Sequence, residues 1–65
     1  MTRAEIISIG TELLLGEVID TNTSYIAGKL RQSGIDLLRT ITIGDNAARI
    51  AEQVINCLTR ADIVI

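Results

Sequence analysis

Between Ala47 and Leu58 the apolar residues Ala47, Ile50, Ala51, Val54, Ile55 and Leu58 recur at i, i+3, i+4 spacing, the period of a helix with one buried face. Short β-branched runs flank it, Ile35 to Ile43 (IDLLRTITI) before and Asp62 to Ile65 (DIVI) after. A strand, a helix and a second strand in direct succession make a parallel crossover, because the helix carries the chain back to the starting edge of the sheet. Gly44 closes the first of these strands, and Asp45 is the expected helix cap. Arg49, Glu52, Gln53, Asn56 and Arg60 fall on the opposite, solvated side of the helix.

The same unit occurs once more upstream. Ala4 to Ile9 (AEIISI) is a β-branched run that ends at Gly10, and Thr21 to Ser33 places Ile26 and Leu30 one helical turn apart. Asp20, Thr21 and Asn22 can each cap this helix, and Gly34 supplies the residue just past its end. Gly28 within it costs about 1 kcal/mol relative to alanine, which predicts close packing of helix on sheet there. Tyr25 reads as a packing residue. The order β-α-β-α-β defines an α/β fold with parallel strands. The first and third strands have continuous apolar cores. In the second, Ile35, Leu37, Arg39, Ile41 and Ile43 alternate with Asp36, Leu38, Thr40 and Thr42, which suits a sheet edge and favours strand order 2-1-3 over 1-2-3. In that order the helices lie on opposite faces, and a ligand crevice is expected between the carboxyl ends of the first and third strands. The DIVI run meets no turn signal, so residues 1–65 read as the N-terminal part of one domain, truncated at its third strand.

Tyr25 is the lone aromatic residue and Pro is absent, so the core is aliphatic. Six basic against eight acidic residues, a net charge of −2 with no run of like charge, give no basic stripe for nucleic acid or for an anionic membrane. One cysteine, Cys57, forms no intrachain disulfide, and with no histidine there is no zinc-ligand pattern. Cys57 reads as a small apolar residue on its helix, and the scattered Arg3, Lys29, Arg31, Arg39 and Arg60 as solvated. Arg3 and Glu5 interrupt any signal-like N-terminus, and no run approaches the ~20 apolar residues of a membrane span. A cytoplasmic location is expected.

The chemistry concentrates in Gly10 to Asn22 (GTELLLGEVIDTN), a non-periodic stretch after the first strand. It lacks the GxxxxGK[ST] phosphate loop, having Glu17 where the lysine would stand, and it lacks the third glycine of a dinucleotide fingerprint. It offers instead Thr11, Glu12, Glu17, Asp20, Thr21 and Asn22, with Asp45 and Asn46 added from the end of the second strand. Leu13, Leu14 and Leu15 must pack somewhere and so fix the loop. Both helices start at this edge, so their free N–H groups face it too. Carboxylates beside helix starts can hold a divalent metal against a pyrophosphate or accept hydrogen bonds from ribose or pterin groups. The same Asp45, and one of Asp20, Thr21 or Asn22, can equally be plain helix caps.

GTELLLGEVIDTN, then SYIAGKLRQSGID, TIGDN and RADIVI, together closely resemble the start of the CinA family of competence/damage-inducible proteins. They are similar, less closely, to the molybdopterin-binding domain of gephyrin-like molybdenum cofactor enzymes. The resemblance spans essentially the whole chain. It implies a three-layer α/β/α fold and a nucleotide or pterin crevice, and links the complete domain to metal-dependent hydrolysis of ADP-ribose at its pyrophosphate. In the family the third strand runs into a glycine-rich loop and an acidic stretch, and a separate C-terminal domain carries nicotinamide mononucleotide deamidase activity. The motif positions carried over are Gly10, Thr11, Glu12, Gly16, Asp20, Thr21, Asn22, Gly44 and Asp45. On this reading Glu12 and Asp20 position a divalent metal, Mg²⁺ or similar, with Asp45 assisting catalysis. Gly10, Thr11, Thr21 and Asn22 face ribose or phosphate oxygens. The alternatives are a nucleotide- or molybdopterin-binding module without turnover and an inactive fragment. A homo-oligomer is the expected assembly of the full-length protein.

Overall fold

A computed structural model describes residues 1–65. The elements run β1 (Arg3–Ile9), α1 (Thr11–Leu14), α2 (Thr21–Gln32), β2 (Asp36–Ile43), α3 (Ala47–Leu58) and β3 (Ile63–Val64). The strands are all parallel and lie in the order β2-β1-β3, as the alternation in the second strand predicts.

Side chains of β1 divide between the two faces. Ala4 and Ile6 pack with Leu30 of α2, joined by Ile26, Ala27, Ile35 and Leu37. The Ser8 hydroxyl reaches Thr23 of the same helix. Glu5 points the other way, to Arg60 just beyond α3. The helices therefore cover opposite faces in a three-layer α/β/α arrangement. No helix is long and apolar enough to cross a membrane.

Gly34 ends α2, as expected. It has φ of 73° and its N–H donates to Arg31, while Ile35 N–H reaches back to the Leu30 carbonyl at 3.0 Å. This paired closure needs a left-handed residue at its centre. A second closure of the same kind was not anticipated. Gly16 (φ 75°) donates to Leu13 and Glu17 N–H to the Glu12 carbonyl at 2.9 Å, so residues read as a non-periodic loop contain the one-turn helix α1. A single turn is too short to show a period, but the glycine behind TELLL was its local signal.

Several expectations are corrected. The cap of α3 is Asn46, whose extended backbone lets its side-chain oxygen accept from Arg49 N–H at 3.0 Å; Asp45 sits one residue too early to reach that amide. No atom lies within 4 Å of where a Cβ on Gly28 would stand, so close packing does not account for this glycine. Tyr25 is 66% exposed and packs against the Lys29 ammonium, 5.5 Å from the ring centroid, rather than against the core. The single face proposed for β2 is split. Ala4 pairs with Leu37 but Glu5 with Arg39, so Leu38 is an extra residue that reverses the facing of all that follow. Ile35 and Leu37 face α2, whereas Arg39, Ile41 and Ile43 face the α3 side.

That bulge delivers Arg39 to Glu5. The Glu5 side chain is fully buried within an otherwise β-branched run, and accepts from Arg39 Nε, from Arg60 Nε at 2.9 Å and from Arg60 Nη2 at 3.0 Å. Arg39 and Arg60 are thus ion-pairing residues rather than freely solvated ones. Cys57, expected to be half-buried, is fully buried beside them, and desolvation, aided by the nearby Glu5, pushes its thiol up from the ordinary 9.0. Of the residues expected on the buried face of α3, Ile55 and Leu58 are 65% and 56% exposed, whereas Cys57 is buried.

Candidate functional site

The carboxyl edge of the sheet is tied together by backbone. Gly10 N–H donates to the Ile43 carbonyl at 2.9 Å, so the chain leaves β1 beside the end of β2. Thr11 opens α1, and its hydroxyl stands 3.4 Å from Asp45 N, a long contact that marks adjacency more than strength. Glu12 folds back over Gly10: a Cβ there would lie 2.7 Å from Glu12 Oε1. Only a glycine lets this carboxylate rest where it does. Gly10, Thr11, Glu12 and Asp45 therefore form one group.

Asp20, Thr21 and Asn22 form another, at the start of α2. Asp20 caps the helix, accepting from Thr23 N–H at 3.0 Å and from the Thr23 hydroxyl at 2.6 Å. The Thr23 oxygen lies 2.6 Å from Ser8 Oγ on β1. With the Thr23 proton directed to Asp20, Ser8 is the donor in that contact. These hydroxyls, Ser8 and then Thr23, together with the Thr23 amide hold the Asp20 carboxyl below its ordinary 3.8, against a smaller opposing effect of burial. Thr21 and Asn22 are exposed in the first turn. Ser8 and Thr23 were missed as partners of this site. The signal for Thr23 was its place three residues after Asp20, the position an N-cap oxygen reaches.

No three His, Cys, Asp or Glu side chains converge in the chain. Magnesium commonly binds through one or two carboxylates together with substrate phosphates and water. Here both Asp20 oxygens already accept hydrogen bonds from Thr23. The residues described do not by themselves assemble a metal-ligand set.

A hollow at this edge lies on the β2 side. Ile63 and Val64 pair with Ala4 and Glu5, and Ile65 accepts from Ile7, so β3 runs parallel beside β1. The hollow, of about 270 Å³, is floored by Leu14, Ile41 and Ile43 and walled by Arg49, Glu52 and Gln53 of α3.

A family model described as "Probable molybdopterin binding domain" matches residues 5–65. A protein of Alkaliphilus oremlandii named as competence-damage inducible is 56% identical over 63 residues, which are 97% of this chain and 15% of that protein. A CinA-like protein of Deinococcus radiodurans is 48% identical over 65 residues, 100% of this chain and 16% of the relative. The crystal structure of the protein CinA, of unknown function, from Thermoplasma acidophilum superposes with a TM-score of 0.93 at 27% identity, covering 97% of this chain and 38% of that one. The chain spans about 15% of the length of the curated relatives it matches. On the match over residues 5–65, this chain belongs to the probable molybdopterin binding domain family, and over that span it is similar in sequence and fold to CinA-like proteins.

Proposed function

We propose that the chain forms one lip of a crevice that takes a nucleotide or pterin ligand, and that in the full-length protein this crevice serves hydrolysis of ADP-ribose-type pyrophosphates. The observation that carries the reading is the placement of Glu12 over Gly10, beside Thr11 and Asp45, at the edge where α2 and α3 both begin. A carboxylate repels pyrophosphate but accepts hydrogen bonds from ribose hydroxyls or ring N–H groups. Glu12 and Asp45 thus suit the donor-rich parts of such a ligand. The exposed N–H groups opening the long helices suit its phosphates. Thr21 and Asn22 orient oxygens there. Asp20 acts mainly by holding the first turn of α2 in place through Thr23.

Dependence on a divalent metal, Mg²⁺ or similar, belongs to the same proposal: Glu12 together with the substrate phosphates would hold the ion, which would supply charge neutralisation and an activated water. A cytoplasmic, homo-oligomeric protein is proposed as the setting. The test is turnover of ADP-ribose with added divalent metal by the full-length protein and by its Glu12→Ala form. We expect AMP release to fall at least tenfold in the variant, and unchanged release removes Glu12 from the site.

A second reading, a binding module without catalysis, is favoured by the engagement of both Asp20 oxygens and by the lack of three converging acidic or cysteine side chains. Saturable binding of ADP-ribose with no product would select it.

A further inference from the structure

The hollow beside Thr11 has no role in that reading, although its chemistry is specific. Its floor is aliphatic, with Ile43 only 7% exposed, and comes from α1 and β2. Its wall is a polar strip at i, i+3, i+4 on α3: Arg49, Glu52 and Gln53. Arg49 and Glu52 take part in none of the ion pairs of the chain, which engage Arg3, Arg39 and Arg60 with Asp62 and Glu5. Their heads are free to meet a ligand. At about 270 Å³ the hollow is just under the ~300–1,000 Å³ of pockets that hold drug-sized ligands, so it suits one ring system rather than a whole nucleotide. Its position is also telling. A Cβ on Gly44, which borders the hollow, would lie 3.4 Å from Leu14 Cδ2 and 3.7 Å from Thr11 Oγ1, so Thr11, the residue before Glu12, stands beside the hollow.

We infer that this hollow receives the planar aminopyrimidine-type ring of the ligand, with the attached polar group laid across Thr11 and Glu12; the inference rests on the reading of that lip as a ligand site. The aliphatic floor takes one ring face, and the Arg49 guanidinium stacks over the ring. The Gln53 amide both donates and accepts, and so matches a ring nitrogen next to an exocyclic amine, while the Glu52 carboxylate accepts from that amine. Purines and pterins share this edge.

The experiment uses the full chain with isotopically labelled Leu and Ile methyl groups, titrated separately with AMP, ribose 5-phosphate and 6-methylpterin. AMP is expected to bind at least tenfold tighter than ribose 5-phosphate and to shift the Leu14, Ile41 and Ile43 methyl signals. Gln53→Ala weakens AMP about three- to tenfold, the worth of one hydrogen bond, and leaves ribose 5-phosphate unchanged. Glu52→Gln provides a second, more conservative variant with the same expected pattern. A pterin response without an AMP response assigns the hollow to pterins, and the reverse to purines. If ribose 5-phosphate binds at the lip while AMP binds no tighter and the three methyl signals stay still, the inference fails and the proposed function stands. If none of the probes binds, both fail.

Discussion

Replacing Glu5 by alanine tests the least expected feature of the fold. The Glu5 carboxylate is fully buried and compensated by three hydrogen bonds from two guanidinium groups. Removing one partner of a buried ion pair costs about 3–5 kcal/mol when the remaining charge stays stranded. Here the arginine side chains keep 45% and 40% exposure, so they recover part of their hydration and the cost falls at the lower end, about 3 kcal/mol. A stability of about 0.05–0.15 kcal/mol per residue gives this 65-residue chain about 3–10 kcal/mol in all. Glu5→Ala therefore removes a large share, and at about 4–8 °C per kcal/mol it lowers Tm by about 12–24 °C. The assay is urea and thermal unfolding followed by far-ultraviolet circular dichroism. The triple replacement Glu5→Met, Arg39→Leu, Arg60→Leu, which leaves no uncompensated charge, is expected to be far less damaging than Glu5→Ala alone. A Glu5→Ala chain within about 1 kcal/mol of the parent would refute the reasoning, because it would mean that the buried carboxylate is not what compensates these arginines.

The start of α3 gives a paired comparison in the same unfolding assay. Asn46→Ala, which removes the oxygen that accepts from Arg49 N–H, should cost about 1 kcal/mol, whereas Asp45→Ala should stay within about 0.5 kcal/mol. The start of α2 responds to acid. The Asp20 carboxyl titrates below its ordinary 3.8 in the folded chain, so its stabilising effect is complete above that value and is lost as pH falls through the lower folded-state value. Stability measured from about pH 5 down to about pH 2 should fall less steeply in Asp20→Asn, which keeps a capping oxygen but does not titrate; identical slopes would contradict this.

Much of the architecture was legible because it rests on local periodicity. Ile26 and Leu30, the longer stripe from Ala47 to Leu58 and the β-branched runs around them report which kind of element each segment forms, although within α3 Cys57 rather than Ile55 or Leu58 is buried, and the contrast between the alternating and continuous strands ordered the sheet. The misread details share a cause, in that each depended on a partner distant in the chain or on a single turn of backbone. Arg39 looked like one more polar residue in an alternating strand until the bulge at Leu38 turned it towards Glu5. Asn46 and Asp45 are chemically equivalent caps, and only the backbone dihedrals choose between them. At the site, Gly10, Thr11 and Glu12 could be grouped from their sequence adjacency. Their contact with Asp45, and the tie from Asp20 through Thr23 to Ser8, required the strands to be laid side by side.

The amino-acid sequence by itself determined an aliphatic α/β sheet with two crossover helices, a glycine-terminated first strand and an edge rich in acids and hydroxyls, because hydrophobic period and residue type act over a few neighbouring positions. Tertiary structure alone decided that a buried carboxylate would be neutralised from two directions. It also decided that Asp20 would be absorbed into capping while Glu12 lay free over Gly10, and that the formed hollow would open on the β2 side. Those outcomes depend on distances between residues such as Glu5 and Arg60, or Leu14 and Gln53, which only the closing of the sheet brings within reach of one another.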